Sequence, residues 1–169
     1  DNLLVGGIDG HTIKISDYAL SRVLPASGEL QGVVGTPPFM CPEMIQMERF
    51  DQKADIWSSG VTMYVLLCGG FPYTPQIWNR KRIYDAIVLG GAPECRRSWL
   101  SCSARESMQT LLNRDPLQRP TTAMALETEY LASATNDSCT QDDLPDLHCI
   151  LASACEAGAF GVSKFSDKT

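Results

Sequence analysis

The segment 55–67 constrains the fold of this chain more than any other. It reads DIWSSGVTMYVLL and is apolar on nearly every side. A helix that is hydrophobic all round is buried inside a protein. Gly69, Gly70 and Pro72 follow and end the helical pattern. The sequence therefore predicts a helix that begins near Asp51 and lies at the centre of a domain.

The flanking segments predict one hairpin and several more helices. Residues 3–5 and 12–15 favour strands and are joined by a glycine-rich turn, and residues 20–40 predict a long ordered loop. Helices are predicted over 77–89, 104–112 and 121–131, with Ser103 and Thr121 as candidate N-caps. The predicted fold class is mainly α with a short β-hairpin.

Charge and hydropathy exclude some classes of partner. The 169 residues carry a net charge of −6, and the only basic clusters are residues 80–82 and the pair 96–97, which argues against nucleic-acid binding. The longest apolar run is far shorter than the roughly 20 residues that cross a bilayer, so we expect no membrane contact. Residues 132–169 hold six acidic and two basic residues and predict an acidic, Ser/Cys-rich and flexible tail.

The cysteine pattern predicts reduced thiols. Seven cysteines are present, an odd number, and none has the CxxC or CxxH spacing of a zinc ribbon. The chain also begins without the charged and apolar regions of a secretory leader. We therefore expect a cytoplasmic or nuclear protein.

Five short motifs follow one another along the chain: NLL at 2–4, SDYA at 16–19, GTPPFMCPE at 35–43, DIWSSG at 55–60 and DPLQRP at 115–120. In this order they resemble the catalytic-loop Asn, the DFG motif, the GTPxYxAPE segment, the DxWSxG helix and the closing Arg of eukaryotic-type serine/threonine protein kinases. The resemblance covers residues 1–131. It implies the C-terminal lobe of that α+β fold, and it is greatest to the calcium/calmodulin-dependent kinase group.

The resemblance implies a site for ATP and Mg²⁺. Asn2 and Asp17 match the two magnesium ligands, one neutral and one charged, from opposite ends of the hairpin. Leu4 and Ser16 match the residues under and beside the adenine ring. Taken alone, Asn2 could equally be a turn residue, Asp17 a cap and Leu4 a core strand residue.

Other matched residues have supporting roles. Thr36 resembles the residue that contacts the catalytic loop and shapes the site for the acceptor hydroxyl, although a threonine before two prolines could be only a rigid turn residue. Glu43 and Arg119 resemble the family's buried ion pair, which is structural. Asp55 resembles the buried carboxylate that accepts hydrogen bonds from the catalytic-loop backbone.

The chain also departs from the family pattern. Tyr18 and Ala19 replace the Phe and Gly of DFG, and the segment before Gly35 has no Ser or Thr where relatives often carry an activating phosphate. The catalytic base, the rest of the catalytic loop and the N-lobe are absent from this sequence. We expect phosphoryl transfer to a Ser or Thr of a protein substrate once the missing N-lobe is present in cis. The alternatives are a truncated pseudokinase that binds other proteins, and a helical domain that matches these motifs by accident.

Overall fold

The computed structural model describes residues 2–6, 12–95 and 97–135, so most of the predicted acidic tail lies outside the described residues. The elements are, in chain order, β1 (Leu3–Gly6), β2 (Thr12–Ile15), β3 (Leu30–Gln31), a 3₁₀ helix (Pro37–Phe39), α1 (Pro42–Ile45), β4 (Arg49–Phe50), α2 (Lys53–Cys68), α3 (Arg80–Leu89), α4 (Cys102–Leu111), α5 (Thr122–Leu126) and α6 (Glu129–Thr135). Two antiparallel sheets, β1–β2 and β3–β4, accompany these helices. The predicted fold class, mainly α with a short hairpin, is confirmed.

Helix α2 forms the centre of the hydrophobic core, as its sequence predicts. Trp57 and Val61 are fully buried, and α2 packs against α4 and the 3₁₀ helix. Ile87 of α3 and Ala104 of α4 belong to the same cluster and are also fully buried. Gly69 ends the helix with φ of 74°, a left-handed conformation that glycine adopts without steric cost.

The contact between α2 and α4 depends on Gly60. A Cβ atom at this position would lie 2.8 Å from Cβ of Leu111 and 3.1 Å from side-chain atoms of Leu112. These distances are shorter than normal van der Waals contact, so any side chain would force the two helices apart. Glycine is therefore required here for close packing.

The ends of the helices partly differ from the predicted ones. Helix α3 begins at Arg80 rather than at residue 77, because Asn79 has an extended backbone and its side chain accepts a hydrogen bond from the Arg82 amide at 2.9 Å. The N-cap of α4 is Ser101, whose Oγ accepts from the Ala104 amide. The prediction of Ser103 is wrong.

The predicted helix over 121–131 is two helices. Thr121 caps α5 by accepting a hydrogen bond from the Met124 amide at 3.3 Å, which confirms that cap. Helix α5 ends at Leu126, and the Thr128 hydroxyl donates to the carbonyl of Ala125 at 2.7 Å. This local bond favours a turn over a continuous helix. Helix α6 then extends to Thr135, four residues past the predicted domain boundary.

Two cysteines are paired, contrary to the prediction of reduced thiols. Cys68, at the end of α2, and Cys95, in the loop after α3, form a disulfide bond. The two positions are 27 residues apart, and only the return of the chain along α3 brings them together. Cys41 and Cys102 are free. Within the described residues, no helix is both long and apolar enough to cross a membrane.

Candidate functional site

The β1–β2 hairpin brings Asn2 and Asp17 to one end. Leu3 pairs with Ile15, and the Ser16 amide donates a hydrogen bond to the Asn2 carbonyl at 2.9 Å. The Ser16 hydroxyl donates to the same carbonyl at 3.3 Å. Asn2 therefore lies opposite Ser16, and Asp17 is the next residue. The expectation that the two residues come from opposite ends of the hairpin is wrong, because antiparallel pairing places the start of β1 beside the end of β2.

Asp17 has an uncommon backbone conformation. Its φ of 63° is left-handed, which costs a non-glycine residue free energy, although Asp tolerates it better than most. Its Oδ1 accepts a hydrogen bond from the Ala19 amide at 3.2 Å, which closes a tight turn after β2. The carboxylate is exposed, and a carboxylate offers about four lone-pair directions, so it can also bind a cation.

The oxygen atoms of Asn2 and Asp17 fit Mg²⁺ chemically. Magnesium prefers hard oxygen ligands and usually binds one or two protein carboxylates, several waters and the phosphates of a nucleotide. An exposed Asp and an exposed Asn at one hairpin end match this requirement. Among the described residues, no group of three or more His, Cys, Asp or Glu side chains could hold a metal by itself.

Leu4 and Ser16 lie on the same hairpin. The Leu4 side chain is 55% exposed, and its neighbour Leu3 is 48% exposed. Ser16 is half-buried and holds the hairpin end through the two bonds to Asn2. Within the described residues Leu4 therefore lies on a strand of the hairpin and outside the buried core.

Thr36 is exposed at the start of the 3₁₀ helix. Its carbonyl accepts from the Phe39 amide at 3.0 Å, whereas its side chain caps no backbone amide of that helix. Pro37 and Pro38 restrict the backbone that follows. Thr36 is therefore held on a rigid turn.

Glu43 and Arg119 form the buried ion pair. The Arg119 guanidinium donates to both carboxylate oxygens, at 2.8 and 3.1 Å, and the two side chains are 3% and 0% exposed. It also donates to the backbone carbonyls of Asn113 and Lys53. These bonds join α1, the start of α2 and the loop before α5.

Burial and the ion pair together shift the pKa values of Glu43 and Cys41. Burial alone would raise the pKa of the Glu43 carboxyl, but the hydrogen bonds and charge of Arg119 outweigh burial and hold the pKa below its usual value. Cys41 next to it has its thiol pKa raised to about 12, first by burial and then by the Glu43 charge. Cys41 is therefore a neutral thiol and a poor nucleophile.

Asp55 does not have the environment that the resemblance implies. Its side chain is exposed in the first turn of α2, whereas the matched residue is a buried carboxylate. Its backbone carbonyl accepts a hydrogen bond from the Ser59 hydroxyl at 2.8 Å. The buried environment of the matched residue is therefore not reproduced around Asp55 among the described residues.

The sequence interpretation missed an aromatic stack beside the buried ion pair. The rings of Trp57 and Tyr73 are stacked 5.7 Å apart and nearly parallel. Arg119 lies 5.2 Å from the Trp57 ring and Arg114 lies 4.9 Å from the Tyr73 ring, so each outer face meets a cation. No local pattern predicts this arrangement, because its members come from three separate segments.

Comparisons with known proteins identify the family of this chain. The protein kinase domain family matches residues 1–131. Calcium-dependent protein kinase 12 of Oryza sativa subsp. japonica is 35% identical over 76% of the chain and 24% of its own length. Serine/threonine-protein kinase 33 of Mus musculus is 34% identical over 75% and 26%. A probable myosin light chain kinase of Dictyostelium discoideum is 31% identical over 85% and 42%.

The chain thus spans about a quarter of the length of the first two of these relatives. The family match, over residues 1–131, includes all five motifs. The chain belongs to the protein kinase domain family, within which its relatives are serine/threonine kinases.

Proposed function

We propose that the protein, in its full length, transfers a phosphoryl group from ATP to a Ser or Thr hydroxyl of a protein substrate. The observation that carries the proposal is the hairpin end, where the Ser16–Asn2 hydrogen bonds set Asn2 beside Asp17. The N-lobe and the catalytic base would be supplied in cis by residues that precede Asp1. The names of the rice and Dictyostelium relatives support the calcium/calmodulin-dependent group as the subgroup.

The residues of this chain would each have a separate task. Asn2 and Asp17 would hold Mg²⁺, which neutralises charge on the nucleotide phosphates when bound. Leu4, with its exposed side chain, would contact the adenine ring, and Ser16 would lie beside it. Thr36 would position the acceptor hydroxyl. Glu43 and Arg119 would hold the turn that carries Thr36 against the helical core.

A second candidate is a non-catalytic module that binds proteins. Two observations favour it: Ala19 stands where the family motif has glycine, and the hairpin exposes Leu3, Leu4 and Ile15 to solvent. Exposed apolar residues in one place are typical of a binding surface. The N-lobe in cis would cover the same residues, so the two candidates differ in what contacts the hairpin.

Asp17→Asn in the full-length protein tests the catalytic proposal. Phosphate transfer to a Ser/Thr peptide mixture and Mn²⁺ binding by electron paramagnetic resonance in the presence of ATP would be measured. Loss of a group that stabilises the transferring phosphoryl should lower turnover by about 10²–10³-fold. Glu127→Gln, an exposed change at the end of α5, is the control and should leave both unchanged.

The parent protein distinguishes the two candidates. If it binds ATP with Mn²⁺ and transfers phosphate, and Asp17→Asn loses both, the kinase proposal holds. If the parent protein neither binds ATP nor transfers phosphate, the non-catalytic module is favoured. We also propose a cytoplasmic or nuclear location. The Cys68–Cys95 disulfide does not support this proposal, because disulfides are rare in those compartments. A fluorescent fusion imaged in cells, with alkylation of Cys68 and Cys95 as a measure of their oxidation, would test it.

A further inference from the structure

Three consecutive cations and an exposed indole form one patch at the start of α3. Arg80, Lys81 and Arg82 are all exposed, and Trp78, two residues before them, is 49% exposed. Within the described part of the chain, none of these cations is in an ion pair. We call residues 78 and 80–82 the basic-aromatic patch. Asp85, half-buried one turn further along α3, is the nearest acidic residue in sequence.

The charge of this patch is not explained by the stability of α3. Cations in the first turn of a helix oppose the helix dipole, each by about 0.3–1 kcal/mol, and this first turn contains no acidic residue. The helix is stabilised instead by the Asn79 cap and by the burial of Ile83 and Ile87. The chain carries a net charge of −6, so three adjacent positive side chains are a local reversal of its overall charge.

The patch is connected to the turn that carries Thr36. The Trp78 ring lies 5.8 Å from the Phe71 ring, which meets the Phe39 ring edge-on at 5.6 Å. Phe39 ends the 3₁₀ helix that starts immediately after Thr36. Helix α3 packs against this 3₁₀ helix, and the Tyr84 hydroxyl donates to the Met40 sulfur at 3.5 Å. The position of the patch relative to the turn is therefore determined by packed rings.

We propose that the basic-aromatic patch binds an acidic segment of the protein substrate, close in sequence to the residue that accepts phosphate. This inference rests on the proposed function, because the turn at Thr36 is taken as the acceptor site. The guanidinium groups of Arg80 and Arg82 can each bind a carboxylate through two parallel hydrogen bonds. The exposed face of Trp78 offers an apolar contact for a neighbouring side chain of the peptide.

The size of the patch favours a peptide over other anionic partners. Proteins that bind duplex DNA commonly contact 6–10 phosphates, and polybasic membrane-binding segments contain about 4–8 cations. Three cations on an acidic chain match three or four carboxylates of a short peptide instead. Because the charge of the rest of the chain repels anions, we expect the contact to stay local.

The test measures peptide binding without ATP. Full-length protein is titrated into two fluorescein-labelled peptides, in which a central Ser is flanked by four Glu or by four Gln, and fluorescence anisotropy is recorded at low and high salt. The test variant is Arg80→Gln/Lys81→Gln/Arg82→Gln. The matched control is Gln52→Glu/Gln109→Glu/Gln118→Glu, which changes three exposed residues and makes the same change in net charge.

We expect the parent and the control to bind the Glu peptide more tightly than the Gln peptide, by about tenfold or more at low salt. The test variant should lose this preference. Equal binding of both peptides by the parent would overturn the inference, as would an equal loss in the control. Tighter, patch-dependent binding of an RNA oligonucleotide or of phosphatidylserine vesicles would assign the patch to another partner and would also overturn it.

The inference and the proposed function can fail separately. Patch-dependent binding of the Glu peptide without any phosphate transfer would contradict the kinase activity and leave the acidic-segment contact standing. Transfer to Ser peptides with the same KM for the Glu and Gln sequences would support the kinase and reject the contact. The variant Trp78→Ala should weaken binding of both peptides alike, because its contact is apolar.

Discussion

The buried ion pair between Glu43 and Arg119 supports the sharpest prediction of stability. Replacement of Glu43 by Gln leaves the guanidinium in place but removes the charge that compensates it. Both side chains are almost fully buried, so this change falls in the range of about 3–5 kcal/mol for breaking a buried pair from one side. The Gln amide oxygen can keep one bond, and the carbonyls of Asn113 and Lys53 keep two more. We therefore expect the free energy of unfolding to fall by about 3 kcal/mol, the lower end of this range.

Hydrogen–deuterium exchange of the α2 amides in the full-length protein measures this loss locally. Amides around Val61 and Val65 lie in the centre of the core and should exchange only when the lobe opens. A loss of 3 kcal/mol raises their exchange rate by about 100-fold. Circular dichroism of both proteins checks that Glu43→Gln still folds.

A second Arg–Glu pair in the same chain provides the control. Arg49 and Glu29 are 3.1 Å apart, but their side chains are 73% and 47% exposed. Exposed pairs contribute about 0–1 kcal/mol, because water and salt screen them. Glu29→Gln should therefore change α2 exchange by less than about fivefold. Equal effects of the two substitutions would refute the reasoning that burial decides the cost.

Three further predictions follow from the packing. Gly60→Ala should destabilise the lobe by about 1–3 kcal/mol in chemical unfolding, because the new methyl group would overlap α4. Gly70→Ala is the control and should have little effect, because no atom lies within 4 Å of its new Cβ. Reduction of the Cys68–Cys95 disulfide should cost about 3–4 kcal/mol of unfolding free energy, because it releases a 27-residue loop; unchanged unfolding in reductant, with both thiols alkylated, would contradict this. Because the folded-state pKa of Glu43 is lowered, its contribution to stability is present above about pH 4.5 and is lost as the pH falls through the folded pKa. Glu43→Gln should therefore flatten the fall in unfolding free energy at acid pH. An equal fall in the parent and the variant would contradict this role of Glu43.

The central helix, the hairpin and the Thr121 cap could be predicted from the sequence, because each depends on residues close together in the chain. An all-apolar run has to be buried, a glycine after it can adopt a left-handed conformation, and two β-favouring runs around a glycine-rich turn pair with each other. The order of the five motifs along the chain also predicted the family. Their order and spacing can be read from the sequence without knowing any contact in the fold.

The errors concerned the exact start of a helix, the surroundings of single residues and the pairing of distant cysteines. Ser103 has the same cap chemistry as Ser101, and the choice between them depends on where the loop ends and α4 begins. Asp55 matches a buried residue of the family but is exposed among the described residues.

The sequence by itself thus determined the family, the core helix and the residue types of the candidate site. Only the tertiary structure decided that Asn2 and Asp17 share one end of the hairpin, that Cys68 meets Cys95, and that a chain of rings joins the basic-aromatic patch to the turn at Thr36. Local patterns report the conformation of neighbouring residues. Distances between residues far apart in the chain depend on how the helices pack, and packing is set by the shapes of many side chains at once.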